Sequence, residues 1–138
     1  MSHFTTIQTQ FKDAEALVAA LKEFCGWQAQ IYEEAQPLID YYGRPTRQAH
    51  VIVRRGSPKY HYNADLGFER DEEGNLQLIA DEMYLDRSFV SQLQQAYAEQ
   101  VTLNYAQKHN LAVIRRERLK DGRVQIELAA RQQVVRRK

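Results

Sequence analysis

Cysteine is almost missing from this chain. Cys25 stands alone, which excludes an internal disulfide and a cysteine-based zinc site. No apolar run approaches the roughly 20 residues that a membrane-spanning helix needs. The start, Met1-Ser2-His3-Phe4-Thr5-Thr6, lacks the basic segment followed by an apolar one that marks a signal peptide. Excess charge is absent too: the net charge is +1, far from that of a strongly basic nucleic-acid binder. There is no Gly-x-Ser-x-Gly elbow, no phosphate-cradling loop and no dinucleotide fingerprint. Gly26, Gly43 and Gly56 are isolated. These absences point to a soluble chain of a reducing, cytoplasmic compartment, with no catalytic residue, no metal and no cofactor to assign.

What is present is pattern. The 138 residues suit a single domain, expected over residues 1–130, with a basic tail at 131–138 expected to fray. Phe4–Phe11 is rich in β-branched and aromatic residues and predicts a strand. Asp13 is placed as an N-cap, and Leu17, Val18, Leu21 and Phe24 recur at helical spacing up to Gly26. Trp27–Tyr32 and His50–Arg55 read as strands, with Pro37–Pro45 wandering between them. Leu66–Arg70 and Leu76–Ala80 flank a polar loop and predict a hairpin. A long helix follows over about residues 89–109, its stripe of Phe89, Leu93, Tyr97, Val101 and Tyr105 expected to lie on a sheet. Leu111–Arg115 and Val124–Leu128, joined through Asp121-Gly122, predict a last hairpin. The order implies an α+β fold, a mainly antiparallel sheet with two amphipathic helices packed on one face.

Chemistry-bearing residues concentrate in mid-chain, in Tyr60-His61-Tyr62-Asn63-Ala64-Asp65-Leu66-Gly67-Phe68. Tyr60, His61, Tyr62, Asn63 and Asp65, joined by His3 if the first strand lies alongside, are the candidate small-ligand residues. Aromatics supply flat apolar surface, polar groups fix orientation, and Asp65 beside His61 suits a carboxylate orienting an imidazole. The plainer reading is preferred: Asn63 and Asp65 satisfy turn backbone and Gly67 permits close approach. No two histidines are spaced as ligands of one metal. Cys25, near a helix C-terminus, meets the negative dipole end, which discourages a thiolate nucleophile.

Charge is unevenly spread. Residues 1–111 carry ten Lys/Arg against fifteen Asp/Glu, and residues 112–138 carry nine against three. Arg54, Arg55, Arg116, Arg118 and Lys120 are therefore candidates for a surface that meets an anionic partner, nucleic acid included. Arg116, Arg118 and Lys120 would share one face of a strand. The basic half lacks the interleaved aromatics on which bases stack, so a solvated face paired with neighbouring acids is preferred.

The start Met1–Ile7, then Lys12-Asp13, Leu17-Val18-Ala19-Ala20-Leu21 and the mid-chain Asp65-Leu66-Gly67-Phe68, resembles a family of cyanobacteria and plastids known as hypothetical chloroplast reading frame thirty-five. The resemblance implies a protein of the cyanobacterial cytosol or the plastid stroma, without an established activity, and supplies no catalytic residues. The basic tail falls outside its pattern. Together with the missing catalytic motifs, it favours a non-enzymatic accessory or adaptor that binds a protein partner around photosynthesis. Eight tyrosines suit an interaction surface. A small-ligand domain using Tyr60–Phe68, possession of an Arg-rich nucleic-acid hairpin, and a homodimer are the alternatives.

Overall fold

A computed structural model describes residues 4–84, 86–121 and 123–131. His3, and the tail from residue 132 on, lie outside the described residues. The chain forms β1 (Phe4–Phe11), α1 (Ala14–Cys25), β2 (Gln30–Ile39), β3 (Pro45–Val53), β4 (Leu66–Arg70), β5 (Leu76–Asp81), α2 (Arg87–Lys108), β6 (Leu111–Arg118) and β7 (Val124–Ala130). A five-stranded antiparallel sheet has the order β1-β5-β4-β3-β2, and β6 and β7 pair separately. The fold is α+β, as the alternation of patterns predicts.

Local signals explain the first helix. The Asp13 carboxylate accepts from the Ala16 N–H at 3.1 Å, which satisfies one of the orphan donors of the first turn. Gly26, at φ +73°, closes the other end in the left-handed conformation. Between them Ala16, Leu17, Ala20 and Leu21 are buried.

In antiparallel pairing, residues directly opposite one another share a face. One row across the sheet is Ile7, Leu78, Phe68 and Val51. This face is covered by both helices, through Leu17 and Leu21 of α1 and Leu93 of α2. Burying each such side chain contributes about 1.5–3 kcal/mol, so this is the main core. The hydroxyl of Tyr97 adds a polar anchor, accepting from the N–H groups of Lys12 and Asp13 at 3.0 and 2.9 Å.

The other row is Thr6, Ile79, Gly67 and Ile52. Here the structure corrects the expectation that Pro37–Pro45 wanders and that the second strand ends at Tyr32. β2 continues to Ile39, and a tight turn at residues 40–44 leads straight into β3. Beyond a register break between Ile31 and Gln36, the β2–β3 ribbon turns over this second face. Leu38 and Ala49 lie on Gly67, and Arg47 Nη2 reaches Thr6 Oγ1 of the far edge strand at 2.8 Å. The sheet is thus covered by helices on one side and by its own hairpin on the other. The turn holds because Asp40 Oδ1 accepts from the N–H groups of Tyr42 and Arg44, both at 2.9 Å.

α2 also departs from its expected packing. Phe89, Leu93, Ala96 and Tyr97 reach the core, but Val101 and Tyr105 are exposed. Twenty-two residues make a helix about 33 Å long, and only its first half meets the main sheet's core. In the second half the buried residues are Glu99 and Ala106, on another side of the helix, and Glu99 pairs with Arg116 of β6. The end of α2 and the β6–β7 hairpin form an arm beside the five-stranded sheet.

Candidate functional site

The mid-chain stretch divides into two parts with different surroundings. Asp65 is 1% exposed, and both of its oxygens are engaged. Oδ2 accepts from the Ile39 N–H and from Arg54 Nη1, each at 2.8 Å, and Oδ1 accepts from the Arg55 N–H at 2.8 Å. Three strands' ends are therefore tied by one carboxylate. The reading of Asp65 as a partner orienting His61 is corrected: its lone pairs are committed to the β2–β3–β4 junction, and His61 is exposed. Asn63 contributes its carbonyl, which accepts from Arg55 Nη1 at 3.1 Å.

The same region gives two of the expected surface cations structural partners. Arg54 also donates to the Pro37 carbonyl at 2.7 Å, and Arg55 to the Asp40 carbonyl at 3.2 Å. Both guanidiniums brace the ribbon that covers the second face. Arg116 and Arg118 do share a face of β6, opposite Ile126 and Val124 of β7. That face lines a groove with Gln95, Glu99 and Gln100 of α2, where Arg116 meets the buried Glu99 while both arginines stay exposed. Lys120 lies past the end of β6, in the exposed turn.

Tyr60 and Tyr62 belong to a different constellation. With Trp27, Leu66, Ala80, Asp86 and Phe89 they line a cavity of about 150 Å³. Three rings stand nearly at right angles to one another. Trp27 and Tyr60 are 4.9 Å apart at 89°, Tyr60 and Tyr62 5.4 Å at 79°, and Trp27 and Tyr62 6.3 Å at 81°. Phe89 closes on Trp27 at 5.7 Å. Two of the rings are fixed by their polar ends: the Trp27 Nε1–H donates to the Lys59 carbonyl at 3.1 Å, and the Tyr60 hydroxyl donates to the Ala64 carbonyl at 2.6 Å. Tyr62 and Asp86 are exposed at the rim, while Trp27 and Tyr60 are buried at the floor. Asp86 caps α2, accepting from the Ser88 N–H through Oδ1 at 2.8 Å.

Reading the sequence finds Tyr60 and Tyr62 but misses Trp27, Asp86 and Phe89. Each of those three has a local explanation: the residue after a helix-ending glycine, an N-cap, and the first member of an apolar stripe. Their convergence is set by the packing of α1, α2 and the loop before β4, which no local pattern announces.

Among the described residues, no group of three or more His, Cys, Asp or Glu side chains is placed to hold a metal ion. Burial raises the Cys25 thiol to about 11, so the thiolate is scarce at neutral pH. No described helix is long and apolar enough to cross a membrane.

Known proteins place the chain as follows. A family model described as a protein of unknown function, DUF1257, matches residues 21–127. The chain is 30% identical over 132 residues to the uncharacterized protein ycf35 of Cyanophora paradoxa, covering 91% of this chain and 94% of that protein. No solved structure matches the chain significantly. The family match runs from the end of α1 into β7 and includes the mid-chain stretch, and together with the relative it agrees with the resemblance read from the sequence: the chain belongs to the DUF1257 family.

Proposed function

We propose that this protein is a non-enzymatic accessory factor of the plastid stroma or cyanobacterial cytosol that docks on a protein partner through its α2–β6–β7 arm. One observation carries the reading: large apolar side chains are exposed on this arm. Ile114 is 59% and Tyr105 54% exposed, with Val113 and Val101 also open to solvent. A two-stranded sheet is marginal by itself in water, and a helix end resting on it leaves apolar surface that a partner can cover. The arm also carries exposed cations, Lys108 and, paired with Glu117 and Asp121 of the same hairpin, Arg115 and Arg123. The partner chemistry that fits is an apolar strip edged by carboxylates.

The test is site-specific photo-cross-linking from position 114 in extracts of the native organism, beside a matched probe at the exposed Glu33 of β2. Recovery of one protein from position 114 and not from position 33, lost in a Tyr105→Glu background, supports the reading. Equal recovery from both positions, or none, rejects it. Recovery of the chain itself identifies the arm as a homodimer contact.

An anionic partner read by the Arg stripe is less well supported. Arg54 and Arg55 donate to backbone carbonyls and to Asp65 within the fold and Arg116 is paired with Glu99, so three of the five expected cations already have intramolecular partners that phosphates would have to displace.

A further inference from the structure

The cavity between α1, α2 and the loop before β4 has a chemistry of its own, independent of the docking arm. Its lining includes the rings of Trp27, Tyr60, Tyr62 and Phe89, and the exposed Asp86 stands at its rim. A π-face is the negative part of an aromatic quadrupole, so rings set around a small space attract a cation there. A primary ammonium or guanidinium needs several hydrogen-bond acceptors as well, and the lining offers few: the Trp27 indole is a donor only, and Asp86, at the rim, is the one carboxylate among the lining residues. A methylated ammonium has a positive charge and an apolar skin, and asks only for rings. The volume, about 150 Å³, is well below the range of roughly 300–1,000 Å³ typical of drug-sized ligand sites, so the space takes a head group and not a whole metabolite. Lys59, next in sequence to Tyr60, lays its aliphatic chain over Gly26 and does not line the cavity.

From this geometry we infer that Trp27, Tyr60, Tyr62 and Phe89 form a binding site for a quaternary, trimethylammonium-type head group, with Asp86 as its counter-charge at the rim. Trp27 and Tyr60 are pre-set by hydrogen bonds, so little ordering of the floor is required on binding. The head group has two possible sources, a free small molecule or a trimethylated lysine side chain, and both present the same cation to the rings.

Trp27 is the chain's single tryptophan and forms the cavity floor, so its fluorescence reports occupancy directly. The full-length protein is titrated with choline, with N-acetyl-trimethyllysine amide, and with 3,3-dimethylbutan-1-ol, the neutral isostere of choline. At least one cation is expected to give a saturable change in the millimolar range. The neutral isostere should bind about tenfold more weakly or worse, the loss that follows when a desolvated cation–π contact is removed. Choline binding without trimethyllysine binding identifies a free small molecule; the reverse identifies a modified side chain. Tyr62→Leu keeps the rim apolar but removes a ring, and Asp86→Asn keeps an N-cap but removes the charge. Both variants should bind the preferred cation more weakly while unfolding at the parent's temperature. Equal binding of choline and its isostere, no saturable change with either cation, or unchanged affinity in both variants overturns the assignment.

Discussion

Gly67 shows how much one residue carries. Its backbone is ordinary strand, so conformational freedom is not what the site needs. A Cβ there would sit 2.7 Å from both Ala49 Cβ and Leu38 Cδ2, closer than such atoms come. Gly67→Ala should therefore lift the β2–β3 ribbon and destabilise the protein by about 1–3 kcal/mol, the usual cost of overpacking, readable as a lower denaturation midpoint. Gly67→Ala with the parent midpoint would show that the ribbon does not lie on the sheet. Asp65→Ala should cost on the order of 3 kcal/mol, because it strands Arg54 and the N–H groups of Ile39 and Arg55 together. Two other carboxylates are held below the usual carboxylate range. Burial raises the Asp40 carboxyl, but N–H donation from Arg44 and Tyr42 and the Arg44 charge outweigh it, so it titrates below the usual carboxylate range. The Gln77 amide, with the Asn75 and Glu73 N–H groups, lowers Asp71 against a smaller opposing effect of burial. A carboxyl lowered in the folded state stabilises above its unfolded value, near 3.9, and that stability is lost as pH falls through the folded value. In thermal unfolding followed from neutral pH down to about pH 2, Asp40→Asn and Asp71→Asn should each lose less stability than the parent, with the difference opening below about pH 4. A parent-like acid slope in both variants would exclude these turns as the acid-labile points.

At the scale of elements, capping and alternation made most of the chain legible. β1, α1 with its Asp13 and Gly26 ends, and the β4–β5 hairpin follow from residues within a few positions of one another. β2 was harder to read because its alternation is interrupted by the break between Ile31 and Gln36 and by Pro37. It was completed by pairing with β3, a contact made across the turn. The α2 stripe reads as one continuous face, yet only the sheet's extent decides which half is used. The second half depends on the hairpin, and the Arg116–Glu99 pair is the polar part of that contact. Glu99→Ala should loosen β6–β7 with only a modest global effect, of about 1 kcal/mol, since Arg116 is half exposed. Faster amide exchange confined to residues 99–130 is the expected signature; uniform acceleration in the five-stranded sheet would mean that the arm is an integral part of the main core.

For the whole molecule, the division between a doubly covered sheet and a lightly held arm orders stability. Amides of β3, β4 and β5, central in the sheet, should exchange last, and those of β6 and β7 first. Cys25, its thiol raised to about 11 by burial, should react slowly with alkylating agents in the native protein near neutral pH and readily once unfolded. The sequence alone determined the α+β class, the element order and the family, because hydrophobic period, caps and turn residues act over a few neighbours. It also pointed to Tyr60 and Tyr62. Only tertiary structure decided that Asp65 is a structural tie, that Arg116 pairs with Glu99, that a hairpin covers the second face, and that Trp27 and Phe89 meet Tyr60 and Tyr62 around one cavity. Those outcomes join residues separated by tens of positions, and their energies come from burial and partner geometry that exist only after the elements have packed.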